Sequence, residues 1–214
     1  MPHPALAQEP QPLDLEKVPR EGQAAQDFVP AGWKVEETIK GDLDKNNSED
    51  VVLQLIAQGS APKEGEEADR ARALLVLLSE GGKLRRAGAS NKVLYCSTCA
   101  GTLSAGEGGG QVKIQKGVII VDQVSGSRDT THTTLRFRYD AKDKRFVFIG
   151  EDVDLRDRLT GHTEKTSTNL LTGQKISESL QYDEKTDKDV VASSKKQKVA
   201  VTRRFLEDVD IGTY

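Results

Sequence analysis

Six of the chain's seven prolines, Pro2, Pro4, Pro10, Pro12, Pro19 and Pro30, lie in its first thirty residues. Proline has no amide hydrogen and a fixed φ, so such a segment builds neither a long helix nor the interior of a sheet. The chain therefore divides near residue 30. Residues 1–29 read as a disordered Pro- and Gln-rich tail, with room for one short helix between Arg20 and Phe28. Residues 30–214 read as a single β-rich domain. Within the tail, Ala5-Leu6-Ala7 ahead of Gln8 has the small-residue pattern of a secretory cleavage site. Taken as a signal-peptide remnant, it points to a periplasmic or secreted protein.

Beyond Trp33 the texture is short apolar runs separated by turn residues, the pattern of half-buried strands. Trp33, Val35 and Ile39 fall on one face of a strand, with Glu37 as the exception. "DVVLQLIAQ" is rich in β-branched residues, and "QVKIQKGVIIVDQV" reads as two strands around Lys116-Gly117. Leu135, Phe137 and Tyr139 alternate, the chain turns at Ala141 to Lys144, and it returns through Phe146 and Phe148. A further hairpin turns at Thr172-Gly173, and "KQKVAVTRRFLEDVDI" supplies a last strand. One segment carries two readings. In residues 64–79, Ala68, Ala71, Leu75 and Leu78 share a helical face, yet the run Leu74 to Leu78 is apolar on every side and suits a central strand. The expected fold is mostly β, with antiparallel meander sheets in a sandwich-like or partial-propeller-like arrangement and one or two short helices.

Charge narrows the partners. Charged residues make up 30% of the chain, but acids and bases are interspersed around a net charge of −3, so no basic face for nucleic acid arises. No apolar run reaches the length of a membrane span. The signatures G-x-S-x-G, the phosphate loop and H-E-x-x-H are all absent.

The stretch that speaks of chemistry is "GDLDKNNSED", Gly41 to Asp50. Counted from Asp42, oxygen-bearing side chains stand at positions 1 (Asp42), 3 (Asp44), 5 (Asn46) and 9 (Asp50), and position 7 (Ser48) offers its carbonyl. Ca²⁺ takes six to eight oxygens at about 2.3–2.6 Å, and a loop coiling around it turns every second side chain inward. Asp42, Asp44, Glu49 and Asp50 against Lys45 leave a local charge of −3, which a cation would neutralise. An EF-hand is excluded, because its position-12 glutamate is here Leu53. The competing reading is an Asx-rich hairpin turn.

"GDLDKNNSEDVVLQL" resembles the calcium loops of FG-GAP or VCBS-type β-propeller repeats, with Asp42, Asp44, Asn46 and Asp50 on the pattern D-x-[DN]-x-D-G-x-x-D. Asn46 replaces an aspartate and Asn47 the glycine. The match occurs once; "QYDEKTDKDVV", with Asp183, Asp187 and Asp189, echoes it but puts Lys185 in the third position. A longer likeness, running through "FVPAGWKVEETIKGDLDKNNSEDVVL", "CSTCAG", "TLRFRYD…RFVFIGED" and "STNLLTGQKI", is to exported bacterial proteins of unknown function. The resemblance implies an exported β domain with a structural calcium loop, and no activity.

The remaining candidates are few. Cys96 and Cys99 are the only cysteines. His3, His132 and His162 are isolated from one another, so a zinc site lacks its second ligand pair. In an exported protein the two thiols are expected to bridge locally, adding less stability than a long-range bridge. Asp152, Asp154 and Asp157 fit a solvated turn better than a second cation site, and His132 fits a solvated strand edge. The sequence thus points to a non-catalytic, calcium-stabilised binding or structural module with a protein or polysaccharide partner. The alternative is a periplasmic enzyme, using Cys96 and Cys99 for redox chemistry or acids near Asp152 for hydrolysis.

Overall fold

A computed structural model of the chain describes residues 11–58, 69–103 and 110–214. The Ala5–Ala7 stretch lies outside the described residues. Among the described residues twelve strands form two antiparallel sheets, with no helix beyond short 3-10 turns. The strands are β1 (Glu21–Gly22), β2 (Trp33–Gly41), β3 (Asp50–Ala57), β4 (Arg72–Glu80), β5 (Lys83–Ser90) and β6 (Gln111–Gln115). They continue as β7 (Val118–Gly126), β8 (Asp129–Asp140), β9 (Arg145–Asp157), β10 (His162–Asn169), β11 (Gln174–Asp183) and β12 (Lys188–Lys198). The smaller sheet runs β1-β5-β4-β3-β2, and the larger runs β12-β11-β10-β9-β8-β7-β6.

The β4–β5 and β6–β7 connections are two-residue turns chemically suited to hairpins. Lys116 and Gly117 sit at φ 53° and 76°, and Gly81 and Gly82 at 59° and 80°. Positive φ at both central residues gives the turn whose twist matches that of the flanking strands.

The smaller sheet is buried on both faces, which explains its continuous apolar runs. Along β4 the side chains alternate strictly: Leu74, Val76 and Leu78 enter the core between the sheets, while Ala73, Leu75 and Leu77 enter a second core on the far side. That settles the double reading of residues 64–79 from Arg72 onward as strand; residues 64–68 lie outside the described residues. From the larger sheet, Ile119, Val121, Leu135, Phe137, Phe146 and Phe148 close the inter-sheet core.

The far side is covered by residues assigned above to a disordered tail, and here the sequence expectation is corrected. Leu13, Val18 and Phe28 are at most 3% exposed and pack against Leu53, Leu55 and Leu75. Asn91 fixes this strap by reciprocal bonds, accepting from Leu13 N–H and donating to Leu13 O, each at 3.0 Å. The Arg86 guanidinium donates to Leu15 O (2.7 Å) and Val18 O (3.0 Å). Proline limits this segment to short 3-10 turns and the two-residue β1, but it does not forbid docking.

Two further expectations change. The β2–β3 ladder shifts register between Val35 and Glu37, leaving Glu36 as an extra residue. A one-residue bulge moves the residues beyond it to the opposite face. Trp33 and Val35 therefore face the strap, whereas Ile39 faces the inter-sheet core, not one common face. The last strand is β12, earlier than expected. Beyond it the chain crosses back, and Leu206, Val209 and Ile211 plug the inter-sheet core from short 3-10 turns.

Candidate functional site

The acidic loop spans the gap between β2 and β3, and Asp50 opens β3. Its shape follows from nested side-chain bonds to its own backbone, the habit of Asp and Asn in turns. The Asp42 carboxylate accepts from Lys45 N–H (2.7 Å) and Asn47 N–H (3.1 Å). Asp44 Oδ1 accepts from Asn46 N–H (3.1 Å), and Asn46 Oδ1 from Ser48 N–H (2.7 Å). Lys45 and Asn47 take left-handed φ values of 66° and 62°. Asparagine tolerates that conformation better than most residues, as its place in the pattern's glycine position requires.

Three of the five expected ligands converge. One carboxylate oxygen each from Asp42, Asp44 and Asp50 lies within 4.8 Å of the others. Among the described residues no lysine or arginine pairs with any of the three; Glu49 turns away to Lys40 at 2.9 Å. Asn46 is adjacent, but its Nδ2 donates to Asp44 Oδ2 and to Ser79 O, each at 3.2 Å. Ser48 is tied to the loop through its own N–H.

Asp50 is the anchor. It is fully buried, with Oδ2 accepting from Leu43 N–H (2.7 Å) and Oδ1 from Ser79 N–H (2.8 Å). Burial pushes its carboxyl above the ordinary carboxylate value; the N–H groups of Ser79 and Leu43 oppose this, and the Asp44 charge adds to it. Leu43, between Asp42 and Asp44 in the chain, is pinned in the inter-sheet core. The loop also touches the larger sheet: a Cβ placed on Gly117, in the β6–β7 turn, would stand 3.5 Å from Asp42 O and 3.6 Å from Leu43 O. The loop thus joins β2, β3, β4 and the β6–β7 turn at one end of the sandwich.

Ser79 was not visible to sequence reasoning. It lies 29 residues beyond Asp50, and only the pairing of β3 with β4 brings it to the loop.

The other candidates are dispersed. Asp152, Asp154 and Asp157 lie in β9 rather than in a turn, and each pairs with a different cation. Asp152 meets Arg136 at 2.5 Å, Asp154 meets Lys165 at 3.3 Å, and Asp157 meets Arg128 at 3.1 Å. His132 belongs to a strand flanked on both sides, not to an edge, and bonds Asp122. Asp183 caps the Lys185 amide while Asp189 holds Arg156, so the echo of the acidic loop does not converge. A cavity of about 330 Å³ opens on this outer face beside His132, Asp152 and Lys165.

Cys96 and Cys99 are bonded to each other. They border a second cavity, of about 500 Å³, together with Arg72, Leu94, Tyr95 and Tyr214. Arg72 is clamped there by Glu36, the bulge residue of β2, at 2.7 and 2.8 Å.

No protein family, curated protein or solved structure matches this chain.

Proposed function

We propose that the Asp42–Asp50 loop holds a Ca²⁺ ion as a structural clamp in an exported, non-catalytic binding or structural protein. The observation that carries this reading is the convergence of Asp42, Asp44 and Asp50, none of them ion-paired to a lysine or arginine among the described residues. Three carboxylates so placed repel one another, and burial already penalises the Asp50 charge. A hard divalent cation with oxygen ligands relieves both costs. Asp42, Asp44 and Asp50 would hold it, with Asn46 and the Ser48 carbonyl completing the shell. The ion would tie the β2–β3 connection to β4 and to the β6–β7 turn, and so to both sheets. The paired cysteines support an oxidising, extracytoplasmic location, since such bridges persist there and are rare in the cytosol.

Because the unfolded chain lacks the site, binding adds to folding stability. At a calcium concentration 100 times Kd the gain is about 2.7 kcal/mol. For a domain of this size that raises Tm by about 5–10 °C. Melting curves with calcium and with chelator, beside titration calorimetry, test the proposal. Asp42→Ala and Asp44→Ala should abolish the calcium-dependent rise, and Lys45→Ala should keep it. Equal melts in both conditions, with no binding heat up to millimolar calcium, would leave the loop an acidic turn.

A further inference from the structure

We infer that the Cys96–Cys99 bridge is an exchangeable disulfide that stoichiometrically, not catalytically, oxidises low-molecular-weight thiols entering the adjoining cavity. Three observations carry this, none of them dependent on the calcium reading.

First, the fold has little need of the bridge. It closes a loop of only four residues, so it constrains the unfolded chain far less than a long-range bridge would. The segment is already held by hydrogen bonds on either side. Ser97 N–H donates to Arg70 O (3.0 Å), and Ser97 Oγ accepts from Arg70 N–H (2.9 Å). Upstream, the buried Gln123 side chain takes Tyr95 N–H (2.9 Å) and donates to Val93 O (2.8 Å). Downstream, Ala100 O accepts from Gly126 N–H (3.0 Å). The segment can lose its covalent link and keep its place.

Second, the two sulfurs are inequivalent. Cys99 is exposed, whereas Cys96 is 8% exposed. An incoming thiolate reaches Cys99, and Cys96 is the leaving group. The Thr98 hydroxyl lies 3.8 Å from Cys96 Sγ, where it can donate to the departing thiolate. A hydrogen bond to the charged form favours the anionic sulfur.

Third, both cysteines line a cavity of about 500 Å³, a volume suited to a thiol of a few residues and not to a folded domain.

The reaction balances within the protein and its substrate. The thiolate of one small thiol attacks Cys99 Sγ. The new sulfur–sulfur bond forms as the Cys96–Cys99 bond breaks, and its electron pair leaves on Cys96, which takes a proton from water. A second thiolate attacks the substrate sulfur of this mixed disulfide and releases the Cys99 thiolate. Two thiols become one disulfide, and the protein disulfide accepts the two electrons.

The test incubates the oxidised protein with reduced glutathione, quenches with an alkylating agent and maps adducts by mass spectrometry, with circular dichroism following the fold. We expect a glutathione adduct on Cys99, then the dithiol, with the β spectrum unchanged. A second arm treats the single-cysteine variants with oxidised glutathione. Cys96→Ser, which keeps the exposed thiol, should react at least about tenfold faster than Cys99→Ser. A wild-type protein that stays fully oxidised in millimolar glutathione overturns the inference. So does an adduct on Cys96, or equal rates for two folded variants. The adduct map on the wild type needs no variant, so a poorly folding substitution does not blunt the test.

Discussion

The two halves of the seven-stranded sheet share one backbone ladder and differ in what lies beneath them. From β6 to β9 the inner face rests on the smaller sheet, and Ile119, Val121, Leu135, Phe137, Phe146 and Phe148 are at most 2% exposed. No strand residue of β10, β11 or β12 joins the core between the sheets; Leu170, in the β10–β11 turn, packs at its margin. Of the residues in these three strands, Thr163, Thr168 and Leu180 alone are buried, and β12 has no buried residue. That overhang is laced by side-chain pairs, Lys165 with Asp154 at 3.3 Å, Arg156 with Asp189 at 3.0 Å, and Ser194 with Glu178 at 3.0 Å. Exposed pairs of this kind contribute about 0–1 kcal/mol each. Strand geometry alone therefore says little about stability; burial separates the half that anchors the fold from the half that extends it.

The largest expected effects lie in the anchored half. Phe137→Ala empties a fully buried site and should cost about 3–5 kcal/mol in urea unfolding. Phe28→Ala should cost as much if the strap is part of the fold. A loss below about 0.5 kcal/mol would return residues 11–29 to the status of a tail. Next comes Gln123→Ala, which strips the partners from Val93 O and Tyr95 N–H and should cost about 1–3 kcal/mol.

A smaller effect is expected from pH. Burial pushes the Glu36 carboxyl up, but bonds from Arg72 and Gln54 outweigh it, so its value sits below the ordinary 4.5. A depressed folded value means that the group stabilises the protein above about 4.5 and loses that contribution as pH falls through the folded value. Glu36→Gln should flatten the acid limb of the stability curve below pH 4.5 and leave the rest of its shape unchanged. An acid limb of the same slope in both proteins would assign it to other carboxylates.

The smallest effects belong to the overhang. Lys165→Ala and Val190→Ala should each change stability by no more than about 0.5 kcal/mol. A loss of about 2 kcal/mol or more, the scale of a core truncation, would break the comparison by giving β10–β12 a core of their own.

The same contrast decides what the sequence could disclose. Hairpins over one core are legible: Leu135, Phe137, Phe146 and Phe148 alternate, and Lys116-Gly117 marks its turn. A strand buried on both faces loses its alternation, so residues 72–80 cannot be told from a buried helix by period. β12 is exposed on both faces, again without period, and the apolar pattern puts the last strand too late. The bulge at Glu36 leaves no local signal; the partner of its side chain, Arg72, lies 36 residues away. For the candidate site, Asp42, Asp44 and Asp50 are legible from spacing because the loop is local. Ser79, supplied by sheet pairing, is not.

Hydrogen exchange with and without calcium, read by mass spectrometry over fragments spanning the loop, tests the clamp most directly, because it reports each region separately. Addition of calcium should slow the amides of Leu43, Lys45, Asn47 and Ser79 by about tenfold or more, since their acceptors are the carboxylates that the ion would fix. The β10–β12 amides should exchange at one rate in both conditions. Equal exchange in the loop with and without calcium, or a calcium response confined to the overhang, would contradict the account.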